Sequence, residues 1–166
     1  NYAEHVFRNA TASHPALVSR YESRELRQVS WRAVEAATGA LAATLRGMGV
    51  SAGDRVVSYM PNLPETVMAF LACASIGAIW SSCSPEMGVS VVVDRFQQIQ
   101  PKVMFAVDSY SYNGKVHDRS ATVAELVEKL PSITKVVHVA GPNSATPEKT
   151  WPDALPWEQA VATPSP

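Results

Sequence analysis

The sequence carries no excess of either charge. Its 14 lysine and arginine residues are balanced by 15 aspartate and glutamate residues, which gives a formal net charge of −1 over 166 residues. Because nucleic-acid-binding domains usually show a clear basic excess, we expect no nucleic-acid partner. Long hydrophobic runs are also missing. The longest, residues 67–80, is interrupted by Ser75 and Gly77 and is shorter than the ~20 residues that span a bilayer. We therefore expect this run to lie in a protein core, and no membrane partner.

Cysteine is scarce. Cys73 and Cys83 each lie in an apolar run, which predicts buried, reduced thiols rather than a disulfide framework. The first residues lack the basic and apolar regions of a secretory signal, so we expect a reducing, cytoplasmic location. The sequence also begins without methionine, and we expect it to be part of a longer polypeptide.

Familiar catalytic motifs are missing as well. The sequence contains neither the Gly-x-x-x-x-Gly-Lys-Ser/Thr phosphate loop nor the Gly-x-Ser-x-Gly nucleophile elbow. Its glycines at 47, 49 and 53 follow a predicted helix and precede a strand, the reverse of the dinucleotide-binding pattern, and so indicate a helix end and a turn. No metal site is expected, because none of the histidines pairs with another histidine or a cysteine at ligand spacing. They are His5, His14, His117 and His138.

The hydrophobic pattern, in contrast, predicts an α/β fold. Hydrophobic residues make up 46% of the chain, a globular composition. Two alternating runs near residues 16–30 predict a short hairpin, with its turn at Ser23 and Arg24. Helical periodicity from Ser30 to about residue 48, and over 65–75, 91–99 and 121–130, alternates with strand patterns over 55–60, 78–82, 102–107 and 135–140. This alternation predicts a mainly parallel sheet with helices on both faces.

The predicted organisation has two parts. Residues 1–140 are expected to form one α/β unit. Residues 141–166 contain six prolines and are expected to be an irregular segment, with one short helix starting at Trp157.

One predicted loop has the composition of a binding site. Residues 108–115, with the sequence Asp-Ser-Tyr-Ser-Tyr-Asn-Gly-Lys, follow the third predicted strand of the sheet. Ligands of parallel sheets bind beyond the carboxyl ends of the strands. Tyr110 and Tyr112 offer aromatic faces, Gly114 allows close backbone approach, and Lys115 supplies a cation for phosphate. The alternative is a solvated loop whose tyrosines cover a helix end.

Several segments together resemble the adenylate-forming acyl-CoA synthetases, the AMP-binding family, over roughly residues 1–140. They are Asn1–Glu4, Ser30–Glu35, Gly49–Val56, Met60–Glu65 and Ile76–Ile79. A further set is similar to the branch of this family that activates acetoacetate. Its members are Trp80–Glu86, Asp94–Phe96, Gln100–Val103 and Tyr112–Lys115.

The resemblance implies a reaction and its cofactors. Members of this branch use ATP and Mg²⁺ to convert acetoacetate into an acyl adenylate, and then transfer the acyl group to CoA. The family's phosphate loop, Ser/Thr-Gly-Thr-Thr-Gly-x-Pro-Lys, does not occur in this sequence. We therefore assign no catalytic residue to the chain, expect it to be inactive alone, and expect no tight binding of ATP, Mg²⁺ or CoA to the chain by itself.

The resemblance also implies candidate CoA-binding residues. Two arginines of related short-chain synthetases, which contact the CoA phosphates, correspond by position to Tyr112 and Lys115. Lys115 keeps the charge but lacks the guanidinium fork, and Tyr112 departs from the pattern. Gly114 lies between them, and Ser84 and Gly88 lie near the family's glycine turn that approaches CoA.

Two hypotheses stay open at this point. The chain is part of a CoA ligase, for acetoacetate or another short-chain acid, whose partners are small-molecule substrates and the remainder of the same polypeptide. Alternatively, it is a free-standing, non-catalytic α/β module for nucleotide binding or protein interaction.

Overall fold

The computed structural model describes residues 1–22, 25–142, 151 and 153–162. The chain begins with helix α1 (Tyr2–Phe7), capped by the Asn1 side chain, which accepts the Ala3 amide proton. Strands β1 (Leu17–Ser19) and β2 (Arg27–Val29) then pair antiparallel. The turn predicted at Ser23 and Arg24 lies outside the described residues.

Helices and strands alternate in the next part of the chain. The elements are α2 (Trp31–Gly47), β3 (Arg55–Tyr59), α3 (Pro64–Ser75), β4 (Ile79–Cys83), α4 (Val89–Gln97) and β5 (Val103–Val107). Helix α2 begins where Ser30 Oγ accepts the Ala33 amide proton, the N-cap that the sequence predicted. Strand β3 pairs in parallel with both β4 and β5.

The segment after β5 differs from the prediction of a loop. It forms a hairpin of strands β6 (Ser109–Tyr112) and β7 (Lys115–Asp118), which pair antiparallel outside the central sheet. The turn consists of Asn113 and Gly114, with left-handed φ values of 51° and 71°. Asn-Gly between extended residues is the typical sequence signal for such a turn, because asparagine and glycine adopt positive φ most easily.

The chain then returns to the central sheet through α5 (Ser120–Lys129) and β8 (Lys135–Val139), which pairs in parallel with β5. After the undescribed residues 143–150, strand β9 (Leu155–Pro156) adds to β8, and the short predicted helix follows as α6 (Trp157–Ala160). The expectation of an irregular segment missed β9. A two-residue strand has no periodicity to recognise, and its pairing is a tertiary contact.

The central sheet has the strand order β4-β3-β5-β8-β9 and is covered by helices on both faces. Strand β5 is completely buried, with Val103 and Phe105 facing the side of α2 and α3, and Met104 facing the side of α4 and α5. Burial on both faces explains why β5 is apolar throughout. The predicted fold class, a mainly parallel sheet between two helical layers, is confirmed.

Candidate functional site

The carboxyl ends of β3 and β4 open into a cleft of about 300 Å³, here called the carboxyl-end cleft. One wall comes from the β4–α4 loop, residues 84–88, and includes Ser84 and Glu86. A second wall comes from the β6–β7 hairpin, residues 109–118, and includes Tyr110 and Ser111. The rest of the lining includes Tyr21, Thr66 of α3 and the segment between β3 and α3, with Met60, Pro61 and Asn62. The cleft therefore lies at the edge of a parallel sheet where ligands usually bind.

Of the five residues predicted to contact CoA, Ser84 is in the lining of this cleft, whereas Gly88, Tyr112, Gly114 and Lys115 are not. Tyr112 and Lys115 face each other across the last pair of the β6–β7 hairpin, and both are exposed, Tyr112 by 55%. Gly114 is in the hairpin turn between them. Gly88 is the N-cap of α4 and has an ordinary φ of −71°.

The turn amides of the hairpin are already paired with a carboxylate of this chain. Glu22 Oε1 accepts the Asn113 amide proton and Oε2 accepts that of Gly114, each at 2.9 Å. These two backbone hydrogen bonds, Gly114's first, hold the pKa of the Glu22 carboxyl below its usual range. The Gly114 backbone was predicted to allow close approach of a ligand, but in the structure its amide is hydrogen-bonded to Glu22 of the same chain.

Among the described residues, a methyl group in place of the glycine hydrogen would meet no steric obstacle at Gly88 or Gly114. A Cβ built on Gly114 or Gly88 would meet no atom within 4 Å. Gly114 is needed for its left-handed φ of 71°, whereas Gly88 has no such need. Nothing in the described chain therefore requires glycine at position 88.

The side chains that hold the β4–α4 loop in place, Arg119 and Tyr59, were not predicted from the sequence. Arg119, just after β7, donates from Nε to the Pro85 carbonyl at 2.7 Å and from Nη2 to the Tyr110 hydroxyl at 3.1 Å. The Tyr59 hydroxyl lies 2.8 Å from the carbonyl oxygens of both Pro85 and Met87, and can donate to either. Burial raises the pKa of Tyr59 to about 12, so this hydroxyl keeps its proton. No motif marks these contacts, because their acceptors are mostly backbone carbonyls.

A buried acid–imidazole pair holds the base of the hairpin. Asp108 follows β5 directly, and its Oδ2 lies 3.3 Å from His138 Nε2 in β8, with both side chains at most 3% exposed. Asp108 Oδ1 accepts the Gly141 amide proton at 2.9 Å. A Cβ at Gly141 would collide with the Ser109 carbonyl, so only glycine fits there. The start of the β6–β7 hairpin is thus fixed to the segment after β8.

The two cysteines are free and buried, as predicted. Cys83 lies beside the carboxyl-end cleft. Burial raises its pKa, and raises the pKa of Cys73 to about 12, so neither thiol is a ready nucleophile at neutral pH.

Among the described residues, no group of three or more histidine, cysteine, aspartate or glutamate side chains could hold a metal ion. Within the same part of the chain, no helix combines the length and apolarity needed to cross a membrane.

A parallel α/β sheet with a cleft at its carboxyl edge defines a broad class of ligand-binding domains, and comparison with known proteins narrows it. A family model described as AMP-binding enzyme matches residues 4–166. The chain belongs to this family, as the resemblance of its segments indicated.

Several acetoacetyl-CoA synthetases are among the matching relatives. That of Macaca fascicularis is 46% identical over 138 residues, which are 82% of this chain and 20% of the relative. The acetoacetyl-coenzyme A synthetase of Rhizobium meliloti (strain 1021) is 43% identical over 145 residues, or 87% of this chain and 22% of the relative. A solved structure of the Streptomyces lividans acetoacetyl-CoA synthetase superposes on the whole chain with a TM-score of 0.93 and 43% identity, and the match covers 25% of that structure. The chain thus spans about a fifth of the length of these curated relatives.

Proposed function

We propose that this chain forms one α/β part of an AMP-forming acid–thiol ligase that activates acetoacetate with ATP and transfers the acetoacetyl group to CoA. The observation that carries the proposal is the match of the entire chain to the Streptomyces lividans acetoacetyl-CoA synthetase, with a TM-score of 0.93 at 43% identity. Two free, buried thiols are consistent with action in a reducing cytoplasm.

Within this enzyme, we assign the chain to one side of the CoA site. Lys115 and Tyr112 form a cross-strand pair, so their side chains leave the hairpin on the same face. Lys115 would hold a CoA phosphate by a charge-assisted hydrogen bond. Tyr112 would stack or donate one hydrogen bond, since it has no cation to offer. Ser84 would contribute from the other wall, and Gly88 would lie at the start of α4.

The pairing of Glu22 limits how the hairpin holds a phosphate. Because the carboxylate accepts both turn amides, the contact would depend on the Lys115 side chain rather than on the backbone of Gly114. We assign no residue of this chain to the binding of Mg²⁺ or of the ATP phosphates. No Ser/Thr-Gly-Thr-Thr-Gly-x-Pro-Lys loop occurs in the sequence, and we derive no adenylation step from it.

The test uses the full-length protein that contains this chain. We expect ATP–pyrophosphate exchange that depends on acetoacetate and exceeds the exchange with acetate or propionate, and formation of acetoacetyl-CoA when CoA is added. Equal or faster exchange with another short-chain acid would reassign the substrate. Absence of exchange with every acid would favour a non-catalytic module. The 166-residue chain alone is expected to show no exchange.

A further inference from the structure

The two walls of the carboxyl-end cleft are far apart in sequence, and the Arg119 side chain donates a hydrogen bond to each of them. The β4–α4 loop and the β6–β7 hairpin belong to different crossovers of the sheet, so neither fixes the position of the other through the chain. Arg119 is partly buried and is not among the residues that line the cleft.

The Arg119 guanidinium contacts both walls with different nitrogens. Nε donates to Pro85 of the loop at 2.7 Å, and Nη2 donates to the Tyr110 hydroxyl of the hairpin at 3.1 Å. The guanidinium carbon also lies 5.1 Å from the centre of the Tyr110 ring. In addition, the Arg119 backbone amide donates to the Asp108 carbonyl at 2.6 Å, which ties the arginine to the base of the same hairpin.

The geometry of the side chain makes this link rigid. A guanidinium is planar, and its donors have a fixed separation, so binding both acceptors sets the distance between them. Pro85 and Tyr110 are both buried, so neither contact competes freely with water. A lysine at position 119 would keep the positive charge but could not address two acceptors in this fixed arrangement.

We propose that Arg119 is a positioning residue for CoA, which fixes the separation of the two cleft walls and thereby aligns Ser84 with the hairpin that carries Tyr112 and Lys115. The proposal rests on the proposed function, because it needs the cleft to be the CoA side of the ligase. The proposal predicts different effects on the two half-reactions. Loss of the Arg119 hydrogen bonds impairs acyl transfer to CoA and leaves adenylation of the acid intact.

The experiment compares Arg119→Lys, Tyr110→Phe and their double variant in the full-length protein. The matched control is Arg46→Lys, at an exposed position near the end of α2, away from the cleft. For each protein we would measure the Kd for CoA by calorimetry, the KM for CoA, the rate of ATP–pyrophosphate exchange and the thermal midpoint.

Arg119→Lys is expected to raise the Kd and KM for CoA roughly three- to tenfold, the loss of about one ordinary hydrogen bond. Pyrophosphate exchange should stay within about twofold of the wild-type rate. Tyr110→Phe should act in the same direction, and the double variant should be less impaired than the product of the two single effects, since both remove the same link. Arg46→Lys should change none of these quantities.

A parallel Lys115→Ala variant separates failure of this inference from failure of the proposed function. If Lys115→Ala weakens CoA binding and Arg119→Lys does not, the positioning role of Arg119 is wrong and the CoA assignment stands. If neither variant changes CoA binding, the assignment of the cleft to CoA is wrong. An equal loss of adenylation and CoA use in Arg119→Lys would show a merely structural role and overturn the inference.

Discussion

Gly141→Ala tests how firmly the base of the β6–β7 hairpin is fixed. The substitution adds one methyl group where an ideal Cβ would collide with the carbonyl and hydroxyl oxygens of Ser109 and crowd the Asp108 carboxylate. Those oxygens belong to the start of β6, and Asp108 also accepts the amide of residue 141. The backbone must therefore move, and the buried Asp108–His138 pair must move with it or lose this hydrogen bond.

The magnitude follows from two opposing effects. Replacing glycine by alanine restricts the unfolded chain and by itself stabilises by ~0.4–1 kcal/mol. Overpacking costs ~1–3 kcal/mol, and loss of the hydrogen bond between the Gly141 amide and the buried Asp108 side chain costs another ~0.5–1.5 kcal/mol. We therefore expect Gly141→Ala to lower the free energy of unfolding by about 0.5–4 kcal/mol.

The assay is urea unfolding of the 166-residue chain, followed by the fluorescence of its four tryptophans. Gly47→Ala is the matched control, because the same methyl group would meet no atom within 4 Å near the end of α2. We expect this control to be neutral or stabilising by up to ~1 kcal/mol. Equal unfolding free energies for the two variants would refute the reasoning about close packing at Gly141.

Three further predictions concern the site, the response to acid and the core. In the full-length protein, Lys115→Ala is expected to raise the KM for CoA roughly tenfold to a hundredfold if the lysine is partly desolvated by the ligand, and to leave pyrophosphate exchange unchanged; equal loss of both would contradict the CoA assignment. Hydrogen bonds from Ser51, first from its backbone amide, and from Lys102 lower the pKa of Asp54 from 3.8 to about 2. The stability that this carboxylate contributes is therefore present above about pH 4 and lost as the pH falls towards 2, and Asp54→Asn should flatten the acid limb of a stability–pH curve over that range. Leu41→Ala removes a fully buried side chain from the core beneath α2 and should cost about 2–5 kcal/mol in urea unfolding, whereas a change below ~1 kcal/mol would mean that the site collapses around the cavity.

The candidate site was predictable only in part. The composition of residues 108–115 and their place after a parallel strand predicted a binding segment, and the resemblance to the family implied roles for Lys115 and Tyr112; both stay predictions. The hairpin itself could also have been predicted, because Asn113 and Gly114 form a strong turn signal between extended residues. The pairing of Glu22 with that turn could not be foreseen, because Asn113 and Gly114 follow Glu22 by 91 and 92 positions in the sequence.

Local pattern determined most of the fold. The spacing of apolar residues was sufficient to predict the main helices and strands. The 3.6-residue period of a helix and the apolar run of a buried strand are both patterns among residues that are close in sequence. Their alternation was sufficient for a parallel sheet, because short crossovers allow few other arrangements. Tertiary structure alone decided that β9 joins the sheet, that Asp108 meets His138, and that Arg119 bridges the cleft walls. One of the two hydrogen bonds of this bridge is accepted by the backbone carbonyl of Pro85, and every residue has a backbone carbonyl. The sequence therefore contains no mark of which carbonyl an arginine will reach until the folded chain brings the two together.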